Sequence, residues 1–76
     1  MPTIIELRNF RIVIETRDHA PAHVHCKGPG CHPRIEIRTR AVLSNDGVSG
    51  RDLRRLKDLI EKYEDVLMNE WKRIHG

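Results

Sequence analysis

Long hydrophobic runs are missing from this sequence, and their absence excludes one class of protein. The longest apolar stretches are two or three residues, as in Ile12-Val13-Ile14, whereas a membrane-spanning helix needs about 20 consecutive apolar residues. The first residues enter strand-like sequence with neither a basic nor an apolar segment before them, so we recognise no secretory signal. We therefore expect a soluble protein of the cytoplasm.

Aromatic residues and cysteines are also scarce. One Trp, one Tyr and one Phe are present; all three fit apolar core patterns, so no platform for stacking nucleobases is visible. Cys26 and Cys31 are expected to be thiols or metal ligands in a reducing compartment rather than a disulfide. A phosphate-binding loop is excluded as well, because Gly28-Pro29-Gly30 lacks the lysine and the context of that motif.

The charge balance is mildly basic. Fourteen Lys and Arg residues against eleven Asp and Glu residues give a net charge of +3, with a pI near 9.2. That excess permits a nucleic acid or an acidic partner without requiring one. The chain of 76 residues has no repeat, linker or low-complexity segment, so we predict a single domain over residues 1–76.

Alternating polarity predicts strands over residues 3–43. Phe10, Ile12 and Ile14 point to one side, which is the pattern of a half-buried strand. Residues 3–7 predict a preceding strand, and a short strand near residues 41–43 ends at the turn signal Asn45-Asp46-Gly47.

The segment His25–His32 is nearly palindromic about Lys-Gly-Pro-Gly, which favours a four-residue hairpin loop. In that register Cys26 faces Cys31 and His25 faces His32. Strand alternation then separates two faces. The core side carries Val24, Cys26, Cys31, Ile35 and Ile37. The opposite side, which we call the histidine face, carries His23, His25, His32, Arg34, Glu36 and Arg38.

Residues 50–75 predict helix. Ser49 fits an N-cap with Asp52 three residues later. An apolar stripe at steps of three and four follows, formed by Leu53, Leu56, Ile60, Tyr63, Leu67, Trp71 and Ile74. One unbroken helix would be too long for so small a domain, so a bend or break is expected near Lys62–Asp65. We therefore predict an α+β fold, in which a small antiparallel sheet of three or four strands is covered on one face by a C-terminal helix or helical hairpin. The histidine face should remain open.

Four histidines lie close together in the sequence, and imidazole is a ligand for zinc, nickel and copper. His23 and His25 share a face, and His32 could join them across the hairpin, which predicts a site for a zinc-like divalent metal. The alternative is an exposed polar sheet surface without a bound ion. The cofactor therefore stays open. For the cysteines, we prefer small buried thiols that pack across strands to a zinc site.

The same histidines are candidates for acid/base chemistry. His19, His23 and His25 are the candidate catalytic residues, with Asp18 as a carboxylate that orients one of them. Arginine suits phosphate, so the candidate binding residues are Arg17, Arg34 and Arg38. A histidine and arginine surface is equally typical of a plain anion-binding or RNA-binding patch. A second basic run, Arg51 to Lys57, is more simply a solvated helix face.

The stretch Asp18-His19-Ala20-Pro21-Ala22-His23-Val24-His25, the strand led by Phe10 and the terminal helix containing Trp71 resemble the small bacterial proteins of the domain of unknown function 4160 family. The resemblance covers nearly the whole chain and marks Asp18, His19, Pro21, His23, His25 and Trp71. It departs from the family pattern at Ala22, where a second proline is usual, and at Tyr63, where histidine is frequent. Cys26, Cys31 and His32 are not family features.

The resemblance implies a toxin–antitoxin-like context without an established activity. The leading hypothesis is a component that binds nucleic acid, such as RNA, or a cognate small protein through the histidine face. The alternative is a metal-dependent or acid/base hydrolase of nuclease type that uses the same histidines, so enzymatic activity stays open. A third hypothesis is a scaffold that forms a homodimer through the C-terminal helix over Tyr63–Ile74.

Overall fold

The computed structural model describes residues 4–17 and 19–75. The predictions for Thr3 and Asp18 therefore lie outside the described residues. The described chain forms five strands followed by two helices: β1 (Ile4–Leu7), β2 (Phe10–Val13), β3 (His23–Lys27), β4 (Arg34–Glu36), β5 (Val42–Ser44), α1 (Gly50–Lys62) and α2 (Glu64–His75).

The strands make one antiparallel sheet in the order β1-β2-β3-β4-β5. Each strand pairs with its neighbour in the sequence, which is the arrangement that short connections favour. The α+β class is thus confirmed, whereas the expected count of three or four strands is wrong. Both short outer strands, β1 and β5, pair with the sheet in addition to its three inner strands.

The core lies where the alternation predicted it. Ile12 on β2 is opposite Cys26 on β3, and Val24 on β3 is opposite Ile35 on β4, so these side chains share one face. The helices add Leu56, Ile60 and Leu67, none of which is accessible to solvent. The predicted sheet core is confirmed for Phe10, Ile12, Ile14, Val24, Cys26, Ile35 and Ile37, all of them buried.

The hairpin between β3 and β4 differs from the prediction. Gly28 pairs with Cys31 around the two-residue turn Pro29-Gly30, and Gly30 has φ of 75°. Proline followed by a residue with positive φ is typical of a type II turn, which is tighter than the expected four-residue loop. The register therefore shifts by two residues, so the predicted cross-strand pairing of Cys26 with Cys31 and of His25 with His32 is wrong.

A shift of two residues leaves every side chain on its predicted face, because the strand period is two. His25 is now opposite Arg34, and His23 is opposite Glu36. The two-residue turn corrects the partners without changing the division between the core side and the histidine face.

The helical region begins and breaks as predicted. The Ser49 side chain accepts a hydrogen bond from the backbone N–H of Asp52, which caps α1. Tyr63 alone separates α1 from α2, and backbone hydrogen bonds run from Tyr63 to Leu59 and from Leu67 to Tyr63. An ion pair of 2.6 Å between Arg40 and Glu64 ties this junction to the turn after β4. Neither helix of the described chain is long and apolar enough to cross a membrane.

Candidate functional site: the histidine face

The histidine face is built on the central strands of the sheet. His23 and His25 alternate with the buried Val24 on β3, which places both on the side opposite the core. Their cross-strand neighbours on β4 are Glu36 and Arg34. The structure therefore brings acidic, basic and imidazole groups together on one surface, as the strand pattern predicted.

This face is only partly open, contrary to our expectation, because its first histidine is covered. His23 is only 5% exposed, because Trp71 of α2 lies against it with ring centroids 5.5 Å apart. Trp71 also packs against the hydrophobic core, so it contacts both sides of the boundary between core and histidine face. The apolar helix pattern placed Trp71 in the core stripe but could not show that α2 reaches His23.

Five aromatic rings form a continuous row along this face. The ring centroids of His32 and His25 are 5.0 Å apart, and those of His25 and His23 are 5.3 Å apart. Beyond the contact of His23 with Trp71, the row ends at His75, which stacks on Trp71 at 3.8 Å with an interplanar angle of 26°. Sequence reasoning missed His75 because it stands in the terminal helix, more than 40 residues after the other histidines.

Hydrogen bonds restrain three of these rings, those of His23, His25 and His32. The Nδ1 atom of His23 donates to the backbone oxygen of Pro21 at 2.8 Å, since a carbonyl can only accept. In the neutral ring, Nε2 is then the basic nitrogen. At the other end of the row, Nδ1 of His25 and Nε2 of His32 are 2.9 Å apart, so one of them donates to the other.

A shallow open cavity of about 250 Å³ lies beside His23. A bulge between β4 and β5 contributes to it: Arg34 pairs with Ser44 and Ile35 with Val42, which leaves Leu43 as the extra residue. The side chain of Leu43 is 42% exposed. The cavity is lined by His19, Ala20, Pro21, His23, Arg34 and Leu43.

The predicted site residues are thus only partly brought together. His19, His23 and Arg34 line one cavity, whereas His25 and His32 lie along the ring row outside it. Arg17 and Arg38 lie in turns that follow β2 and β4. Because both of these strands end where β3 begins, the two arginines belong to the same end of the sheet as His23.

The three predicted metal ligands do not converge on one point. Within residues 4–17 and 19–75, no group of three or more His, Cys, Asp or Glu side chains is arranged to hold a metal ion. His23 already uses its Nδ1 for Pro21, and the facing nitrogens of His25 and His32 are occupied by each other. A metal at His23, His25 and His32 therefore stays a prediction that would need these rings to turn.

The cysteines lie on the core side. Cys26 is fully buried and Cys31 is half-buried, and both are free thiols. Burial, together with the nearby Cys31 thiol, raises the pKa of Cys26 to about 12. A thiol held protonated in this way is a poor nucleophile and a poor metal ligand, which supports the packing role predicted for Cys26.

In a comparison with family models, residues 9–72 match a family described as Domain of unknown function (DUF4160). No curated protein matches the chain. No solved structure matches it either. The matched region contains the strands β2 to β5, the cavity and all of the ring row except His75. The chain belongs to the domain of unknown function 4160 family.

Proposed function

We propose that this protein binds single-stranded RNA through the histidine face, as one component of a toxin–antitoxin-like pair. The cavity beside His23 would receive a backbone phosphate. The observation that carries the proposal is the convergence of Arg34 with His19 and His23 on that cavity. The exposed Arg34 guanidinium and His19 imidazole can donate to phosphate oxygens, and the ring of His23, whose Nδ1 donates to Pro21, forms part of the cavity wall.

The state of Arg34 supports this assignment. Arg34 is exposed and has no ion-pair partner within the described part of the chain, unlike Lys27, which lies 2.8 Å from Glu15. An arginine that is not paired with a carboxylate is available to bind an anionic ligand. Arg17 and Arg38 at the same end of the sheet would extend the positive surface to flanking phosphates.

The ring row favours a single strand over a duplex. Proteins recognise single-stranded RNA by stacking splayed bases on aromatic side chains, and histidine serves this purpose. His32 is exposed and His25 is half-buried, so both rings remain within reach of a base whose phosphate lies in the cavity.

Fluorescence anisotropy with a labelled 12-nucleotide single-stranded RNA tests the proposal. We expect saturable binding that weakens as salt is added, and Arg34→Ala should reduce the affinity and the salt dependence together. Arg51→Ala is the matched control, because it removes an equal charge from the exposed start of α1.

Two results would overturn the RNA proposal. The first is that neither RNA nor DNA binds at low salt, which would favour a protein partner. The second is that Arg34→Ala and Arg51→Ala weaken binding equally, which would show that binding depends on the overall charge of the protein and not on the position of Arg34. If single-stranded DNA of the same sequence binds equally well, the ligand is single-stranded nucleic acid in general and not RNA alone, because DNA lacks the 2′-hydroxyl.

A second candidate, an acid/base nuclease, is favoured by the presence of two histidines in one cavity. One imidazole would accept the proton of the 2′-hydroxyl as its oxygen attacks phosphorus, and the other would protonate the departing 5′-oxygen. Incubation of the RNA with protein in EDTA, followed by gel analysis, tests this role. Loss of cleavage in each of the single variants His19→Ala and His23→Ala would support the nuclease role. RNA that stays intact with the unaltered protein would refute metal-free catalysis.

A further inference from the structure

We infer that Trp71 is a positioning residue for this site: its indole, backed by His75, holds the His23 imidazole in one orientation beside the cavity. The binding consequence of this inference rests on the proposed function. The orientation of His23 can be tested without RNA.

His23 needs such support because of its place in the fold. It is the first residue of β3 and directly follows an irregular loop. The bond from Nδ1 to the oxygen of Pro21 holds one edge of the ring at 2.8 Å. That bond by itself would not prevent the ring from swinging about the edge that it holds. The indole of Trp71 at 5.5 Å and the ring of His25 at 5.3 Å restrict this swing.

Trp71 is itself held from two sides. Its side chain packs against the hydrophobic core, and His75 stacks on its outer side at 3.8 Å. The Nδ1 of His75 donates to the backbone oxygen of Trp71 at 3.1 Å, which fixes the stacked ring one helical turn along α2. The remaining His75 nitrogen, Nε2, is buried without a hydrogen-bond partner in the described residues, a cost that the stacked position must offset.

The consequence for binding is preorganisation. A side chain of the site that already has the bound orientation loses less freedom when the ligand arrives. The interaction energy of one aromatic pair changes an equilibrium constant by about two- to tenfold. We therefore expect removal of the indole to weaken RNA binding by about that factor, although Trp71 is not among the residues that line the cavity.

The variants are chosen to leave the charge unchanged, because several ionisable groups surround His23. Glu36 faces it from β4, His25 adjoins it on β3, and His19 and Arg34 share its cavity. Trp71→Leu removes the aromatic ring, and Trp71→Phe keeps one. The control for the helix is Val66→Ala, because Val66 is 49% exposed on α2.

The first measurement is ¹⁵N NMR of the His23 ring. We expect the unaltered protein to show a single Nδ1–H tautomer, Trp71→Leu to show averaged tautomers, and Trp71→Phe and Val66→Ala to resemble the unaltered protein. Ring signals unchanged in Trp71→Leu would overturn the inference. If Trp71→Leu does not fold, His75→Ala takes its place, because it removes only the outer ring; a smaller change in the same direction is expected.

The second measurement is the RNA affinity in a double-mutant design. Trp71→Leu should weaken binding when His23 is present and have no further effect in the His23→Ala background. An equal loss in both backgrounds would mean that Trp71 acts on the fold in general and would overturn its positioning role. If the unaltered protein binds no RNA, the proposed function fails, and the ring signals still decide whether Trp71 orients His23.

Discussion

Replacing Gly28 by alanine should destabilise this protein, because the ring of Phe10 occupies the space that a new methyl group would need. A Cβ built on Gly28 would lie 2.7 Å from Cδ1 of Phe10 and would overlap Cε1 as well. Phe10 is 6% exposed and belongs to the core, so its ring can move only by disturbing its neighbours. Protein interiors are packed too densely to absorb such a displacement freely.

The expected loss follows from the behaviour of overpacked cores. Inserting a methylene into a well-packed site costs about 1–3 kcal/mol. For a domain of this size, each kcal/mol lowers the melting temperature by about 4–8 °C. Gly28→Ala should therefore lower the melting temperature, measured by circular dichroism or calorimetry, by at least about 4 °C.

Two further variants distinguish this clash from a backbone effect. Phe10→Leu makes room beside Gly28, so Gly28→Ala should cost less in that background than in the unaltered protein. Gly30→Ala should also destabilise, but because of its φ of 75° and not because of crowding: within the described chain, no heavy atom beyond Gly30 and its two sequence neighbours lies within 4 Å of a Cβ built there. Phe10→Leu should not rescue it. An unchanged or higher melting temperature for Gly28→Ala, or an equal cost in both backgrounds, would refute the reasoning.

Three other predictions concern the core, the helix start and the helix junction. Because the pKa of Cys26 is about 12 in the fold against 9.0 ordinarily, the folded thiol keeps its proton longer, so the free energy of unfolding should fall as pH rises from 9. Urea titrations over this pH range should show that the free energy of unfolding falls less steeply in Cys26→Ala. Cys31 should react with a thiol reagent before Cys26 does. An equal pH dependence in the variant, or equal labelling of the two thiols, would contradict the assignment. Ser49→Ala should cost about 1 kcal/mol by removing the cap of α1, and an unchanged urea midpoint would show that the cap is not needed. Arg40→Ala should cost about 1 kcal/mol or less, because its ion pair with Glu64 is partly exposed; the difference should shrink in 1 M salt, and a salt-independent loss would point away from the ion pair.

The proposed RNA site and the packing of α2 are linked through Trp71. Its side chain contributes to the core and at the same time covers His23. Variants of α2 therefore need a folding control before a change in binding is assigned to the site.

The division of each strand into a core side and a histidine side could be predicted from the sequence. Ile12, Val24 and Ile35 are buried as the alternation indicated, because the side-chain period of a strand is a local property of the backbone. The Ser49 cap and the break at Tyr63 are also local, since each depends on hydrogen bonds within about one helical turn. The family motif also marked His19 and Trp71, although it could not show which residues each of them contacts.

The pairing register and the contents of the site were decided only by the tertiary structure. The palindrome around Lys-Gly-Pro-Gly allowed two loop lengths with the same face pattern, and the structure adopts the tighter turn. The number of strands depended on whether the short outer strands found partners.

The burial of His23 shows most clearly that contacts between distant parts of the chain decided what the local pattern could not. Local alternation placed His23 on the polar side of β3, where an exposed ring was expected. Its contact with Trp71 joins residues on different elements far apart in the chain, and no local period reports such a contact. The sequence by itself determined which side of the sheet His23 occupies; the tertiary structure decided that its ring is covered by Trp71 and lies beside a cavity.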